Sequence, residues 1–60
     1  MIEKVGLIMY LAFNKQSSMA NSVDYKGDGR VYLEGEFDFL AVAKAAIEMV
    51  ELIQKEKLDD

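Results

Sequence analysis

The sequence predicts an α+β fold in which a three-stranded antiparallel meander is followed by one C-terminal helix packed on it. Three observations point to this fold: a helical repeat of apolar residues near the C-terminus, a glycine-rich turn in the middle of the chain, and alternating apolar residues near the N-terminus. Sixty residues accommodate one domain, which we assign to residues 1–60. The predicted order of elements is therefore β-β-β-α.

The C-terminal element is an amphipathic helix predicted over about residues 39–57. Apolar residues recur there at helical spacing, and charged residues share the opposite side. Asp38 is a suitable N-cap, because its carboxylate can accept a hydrogen bond from an unpaired amide of the first turn. Phe37 and Val42 stand at the two positions of a hydrophobic staple. The apolar arc covers about half of the helix circumference, which is wider than the stripe of ~100° that packing on a sheet requires.

The middle of the chain predicts a β-hairpin around a three-residue loop at residues 27–29 (GDG). This loop pairs Lys26 with Arg30 and brings the apolar side chains of both strands to one face. Gly29 supplies the left-handed residue that such a loop needs at its last position. Further along the strands, the predicted pairs are Tyr25 with Val31, Val23 with Leu33, and Met19 with Phe37.

The same stretch, residues 24–35 (DYKGDGRVYLEG), partly matches a calcium-binding loop of the EF-hand type. Its first and fifth positions are aspartates, as that loop requires. However, Lys26 stands at the third position, where a carboxylate is needed, and Gly35 replaces the bidentate glutamate at the twelfth. We therefore predict a turn here and no metal site.

The N-terminal segment, residues 5–13 (VGLIMYLAF), is predicted to be the first strand. As a helix it would be apolar on every side, whereas as a strand it alternates between two faces and is rich in β-branched and aromatic residues. A loop at residues 14–18 would continue the register into the hairpin. Asn21 then falls on the apolar face beside Gly35, and the sequence offers no reason for that placement.

Composition excludes several classes of function. The chain has no cysteine and no histidine, so it lacks disulfides, thiolate metal ligands and the commonest general base, and we expect neither a cofactor nor enzymatic activity. A net charge of −4 without clustered cations disfavours nucleic acid and anionic membranes as partners. The apolar run at residues 5–13 is too short to span a bilayer. Glu3 argues against a signal peptide, so a cytoplasmic protein is expected.

A homodimer is the predicted means of stabilising so short a chain, since small domains without disulfides or metals commonly self-associate. An apolar edge strand at residues 5–13 could pair with its copy in antiparallel fashion. Alternatively, two C-terminal helices could pack together, with Ala41, Ala45 and Ala46 allowing close approach. The residues assigned to dimerisation are Val5, Leu7, Met9, Leu11, Phe13, Met49 and Leu52.

The outer face of the predicted sheet carries the candidate partner-binding site, an apolar and aromatic patch with an acidic rim. Its residues are Ile8, Tyr10, Tyr32, Asp24, Glu34 and Glu36. We expect a small non-enzymatic protein-binding module that acts as a homodimer. One alternative is an inhibitor of a host enzyme or defence complex encoded by a phage or mobile element. A second is an acidic nucleic-acid mimic that also uses residues 59–60 (DD).

Overall fold

A computed structural model describes residues 1–58 and contains two helices separated by a two-stranded hairpin. The elements are α1 (Ile2–Lys15), β1 (Ser22–Tyr25), β2 (Val31–Glu34) and α2 (Phe39–Leu58). The predicted α+β class, the hairpin and the C-terminal helix are confirmed. The three-stranded meander is wrong, because the N-terminal segment forms a helix and the sheet contains β1 and β2 alone among the described residues.

Helix α1 replaces the predicted first strand for two physical reasons. Leu7, Met9, Leu11 and Ala12 in its middle are strong helix formers. Glu3 in the first turn and Lys15 in the last turn also complement the helix dipole. Two neighbours, α2 and the hairpin, contact α1 and cover part of its apolar surface, while Leu7 and Leu11 stay exposed. Pairing of two copies through strands at residues 5–13 is therefore wrong as well.

The hairpin adopts the predicted register close to its loop. Strand β1 pairs with β2 so that Tyr25 lies opposite Val31 and Val23 opposite Leu33. The Lys26 amide donates to the carbonyl oxygen of Arg30 at 3.0 Å, which closes the loop as predicted. The further pair of Met19 with Phe37 is wrong, because β1 begins at Ser22 and Met19 is fully exposed.

The loop glycines have the conformations that the turn requires. Gly29 has a φ of 84° and Gly27 a φ of 81°, in the left-handed region that side chains other than glycine rarely adopt. The sequence predicted the first of these and not the second. The loop is thus a short turn held by glycine geometry.

Asn21 fastens the hairpin to the end of α1, which explains its inward placement. Its Nδ2 donates to the carbonyl oxygen of Gln16 at 3.3 Å, and its Oδ1 accepts from the amide of Glu36 at 3.1 Å. Gly35 lies directly against it, with a φ of 109° and no room for a Cβ atom. The asparagine is half-buried because it satisfies backbone groups on both sides of the hairpin base.

Helix α2 begins where the sequence predicts and packs on α1. The Asp38 Oδ1 accepts from the amide of Ala41 at 3.1 Å, which confirms the N-cap. The two helices pack along each other and are tied where α1 ends and α2 begins, so they run antiparallel. Among the described residues, Val42 at 1% exposed and Ile53 at 7% are the buried apolar side chains.

Within residues 1–58, neither α1 nor α2 combines the length and the apolar character needed to cross a bilayer.

Candidate functional site

The molecule is a thin layer with little interior. Its principal dimensions are 44 × 23 × 12 Å, so it is much thinner in one direction than in the other two. Its radius of gyration is 13.0 Å, whereas a compact domain of this length has about 10 Å. Helix α1 contacts both α2 and the hairpin, and many large apolar side chains of the chain stay exposed.

One largely exposed apolar surface runs along the outside of α2. We call it the α2 stripe, and it consists of the exposed residues Phe39, Leu40, Ala43 and Ile47 and the half-buried Val50 at its end. Phe39 and Leu40 are adjacent, and Ala43, Ile47 and Val50 follow at steps of three or four, so all five share one side of the helix, next to the side that packs on α1. Phe39 is 72% exposed, Leu40 76% and Ile47 58%. The wide apolar arc predicted from the sequence is therefore divided between an inner side and an exposed stripe.

A second apolar surface is the cleft between α1 and the hairpin, which we call the hairpin groove. It has a volume of about 390 Å³. The rings of Tyr10 and Tyr25 meet within it at a centroid separation of 5.0 Å and a tilt of 47°. A Cβ atom added at Gly6 would have no neighbour within 4 Å, so the glycine leaves open space beside the rings. The residues lining the groove are Ile2, Glu3, Gly6, Leu7, Tyr10, Tyr25, Gly29 and Val31.

The residues predicted to bind a partner occupy different parts of the molecule. Tyr32 lies opposite Asp24 across the hairpin, on the side facing away from the groove, and Glu34 follows on the same face. Tyr10 lies in the groove instead, on a helix. Ile8 is half-buried on α1. The structure therefore keeps the acidic and tyrosine part of the predicted patch together and places Tyr10 and Ile8 elsewhere.

The acidic rim of this patch is partly engaged within the chain. The Asp24 Oδ2 forms an exposed ion pair with the Lys26 Nζ at 2.7 Å. The backbone amide of Glu36 donates to Asn21, while its side chain is exposed. The exposed ion pair of Asp24 with Lys26 contributes little to stability, about 0–1 kcal/mol. It nevertheless offsets one of the negative charges on this face.

The residues assigned to dimerisation divide between the inner and the exposed sides of the helices. Val5, Phe13 and Met49 are half-buried, and the Phe13 ring packs edge-on against Phe37 at 5.7 Å. The remaining four are exposed and available to another molecule: Leu7, Met9, Leu11 and Leu52. The α2 stripe was not assigned to dimerisation, although the width of the apolar arc already indicated it.

The chemistry available in residues 1–58 is limited. No three carboxylates in this part of the chain approach closely enough to hold a metal ion. The Ser18 Oγ accepts from the amides of Ala20 at 3.2 Å and Asn21 at 3.3 Å, so this hydroxyl stabilises a turn.

Comparison with known proteins returned no relationship: no family model matches the chain, and no match was found among curated proteins or solved structures. Any function therefore has to be inferred from the residues of this chain.

Proposed function

We propose that the chain is a small non-enzymatic protein-binding module that acts as a homodimer. The observation that carries the proposal is the amount of surface left exposed. The chain has an accessible surface of 5027 Å² for a mass of 6.8 kDa, whereas a compact monomer of that mass has about 4,000 Å². The excess of about 1,000 Å² is comparable with the ~800 Å² that each partner buries in a stable interface.

The kind of surface that is exposed supports binding of protein. Phe39, Leu40 and Ile47 are large apolar side chains that stay in water in the isolated chain. Burial of apolar area stabilises an association by roughly 25 cal/mol per Å², before the costs of association are subtracted. Scattered apolar residues on a surface need no partner, but a continuous stripe of them is typical of a protein interface.

The hairpin groove is the candidate site for a second protein once the dimer has formed. Two tyrosine rings beside an open cleft resemble the aromatic pockets in which binding energy concentrates.

We place such a dimer in the cytoplasm, where a chain without cysteine is at no disadvantage.

Two alternatives, an inhibitor of a host enzyme or defence complex and an acidic nucleic-acid mimic, remain proposals, and the mimic has the weaker support. Inhibition of a host enzyme or defence complex would give the dimer a specific target and uses the same apolar surfaces. Nucleic-acid mimicry uses acidic residues, and the ion pair of Asp24 with Lys26 lowers the negative charge that a mimic needs. Residues 59–60, which it also invokes, lie outside the described residues.

Affinity capture separates these hypotheses when it is made with single variants. We expect a protein partner retained at moderate salt to be lost on Tyr10→Ala, which opens the groove, and kept on Tyr32→Ala, which alters the opposite face of the hairpin. The reverse pattern would move the site to the outer face. Release of the partner by salt alone would instead favour the acidic mimic, since phosphate-like contacts depend steeply on ionic strength.

A further inference from the structure

We propose that the second copy of the chain docks on the α2 stripe, with the two α2 helices antiparallel about a twofold axis at Ile47. This inference rests on the homodimer of the proposed function and specifies its interface. The stripe extends over residues 39–50, which corresponds to about 18 Å of helix at 1.5 Å per residue. By comparison, the exposed apolar side chains of α1 are divided between two sides of that helix, Ile2 with Met9 on one and Leu7 with Leu11 on the other.

Helical spacing determines which residues meet in such a dimer. With the axis at Ile47, this residue packs against its own copy, as the central residue of an isologous interface does. Ala43 then lies near Val50 of the second copy, so that a small side chain faces a larger one and the helix axes can approach closely. Leu40 lies near Gln54 of the second copy at each end of the contact.

The charges beside the stripe are complementary under the same symmetry. Lys44 precedes Ile47 by three residues and Glu51 follows it by four, and both are exposed on the same flank of the stripe. In an antiparallel pair, the same flanks of the two helices face each other. Lys44 of each copy therefore lies opposite Glu51 of the other, and the arrangement occurs twice. An apolar stripe between opposite charges favours a second copy as the occupant.

Cysteine cross-linking tests this geometry directly, because the chain has no native cysteine. We expect Ile47→Cys to form a disulfide-linked dimer rapidly under mild oxidation, since the two positions meet at the axis. The matched control is Leu7→Cys, because Leu7 and Ile47 are both 58% exposed. Leu7→Cys and Glu48→Cys are expected to cross-link at least tenfold more slowly, at the rate of random encounters.

A charge exchange gives a second measurement that does not depend on disulfide geometry. Lys44→Glu brings like charges together twice per dimer and is expected to raise the dissociation constant about fivefold to tenfold. The double variant Lys44→Glu/Glu51→Lys restores opposite charges and is expected to return the constant to within about twofold of the wild type.

The outcomes separate this inference from the proposal on which it rests. If the wild-type chain sediments as a dimer but the Leu7→Cys variant cross-links faster than the Ile47→Cys variant, the α2 interface is overturned and the homodimer stands. A double variant that binds more weakly than Lys44→Glu alone would also overturn it. A wild-type chain that stays monomeric would overturn the homodimer itself.

Discussion

The side-chain amide of Gln16 forms two hydrogen bonds with the backbone of Asp38. Its Nε2 donates to the Asp38 carbonyl oxygen at 3.1 Å, and its Oε1 accepts from the Asp38 amide at 2.5 Å. The contact joins the end of α1 to the residue that caps α2, although 22 residues separate the two in sequence. It therefore attaches the end of α1 to the start of α2 at the point where the hairpin leaves and returns.

Gln16→Ala is expected to lower the free energy of unfolding by about 1–2 kcal/mol, because it removes both of these hydrogen bonds. Urea unfolding at a fixed protein concentration measures the change. Ser17→Ala, at an exposed neighbouring position, is the control and should stay within about 0.5 kcal/mol of the wild type. Equal effects of the two substitutions would show that the pairing with Asp38 contributes nothing.

Two glycines should respond in opposite directions to replacement by alanine. Gly35→Ala is expected to destabilise the fold by about 2–3 kcal/mol, because its backbone is left-handed. The new Cβ atom would also lie 2.7 Å from the carbonyl oxygen of Ala20 and 2.9 Å from the Cα of Asn21. Gly6→Ala lies within a helix and meets open space, so a gain of about 0.5–1 kcal/mol is expected. Thermal unfolding of the two variants and the wild type at equal concentration measures both changes. A Gly35→Ala variant as stable as the wild type would contradict the close approach of Gly35 to Ala20 and Asn21.

Asp38→Ala should cost about 1 kcal/mol through loss of the N-cap bond to the Ala41 amide. Asp38→Ser retains a capping oxygen and is expected to recover most of that loss. Because Gln16 bonds only to the backbone of Asp38, the pairing between the helices should survive both substitutions. Circular dichroism during urea unfolding gives the free energies, and a serine variant as unstable as the alanine variant would contradict a capping role.

Self-association should make thermal stability depend on protein concentration. The unfolding midpoint of the wild type is expected to rise with concentration, because a dimer is favoured by mass action and the unfolded chain is not. Ile47→Glu places a charge in the α2 stripe and should remove most of that dependence. Leu7→Glu, at the equally exposed position on α1, should retain it. A midpoint independent of concentration in the wild type would contradict the dimer.

The parts of the fold that the sequence predicts correctly are those with local signals. The glycine loop at residues 27–29 specifies the hairpin register, and Asp38 specifies where α2 begins. Residues 5–13 carry no comparable signal, because their apolar residues satisfy both a period of two and a period near 3.6. Their β-branched and aromatic content favoured a strand, but packing between α2 and the hairpin stabilises a helix.

Of the two candidate surfaces, local sequence signals indicate one and not the other. The α2 stripe follows from the width of the apolar arc, which local periodicity reveals. The hairpin groove does not, because it exists only where Tyr10 on a helix meets Tyr25 on a strand. Asn21 was conspicuous in the sequence as a polar residue on an apolar face, and its purpose became visible only with the backbone groups of Gln16 and Glu36 around it.

Sedimentation equilibrium of the wild-type chain at micromolar concentrations tests the homodimer most directly. The proposal predicts a mass approaching twice the 6.8 kDa of one chain, with reversible dissociation on dilution. A mass of 6.8 kDa at every concentration would contradict it and would leave the α2 stripe as surface exposed to water.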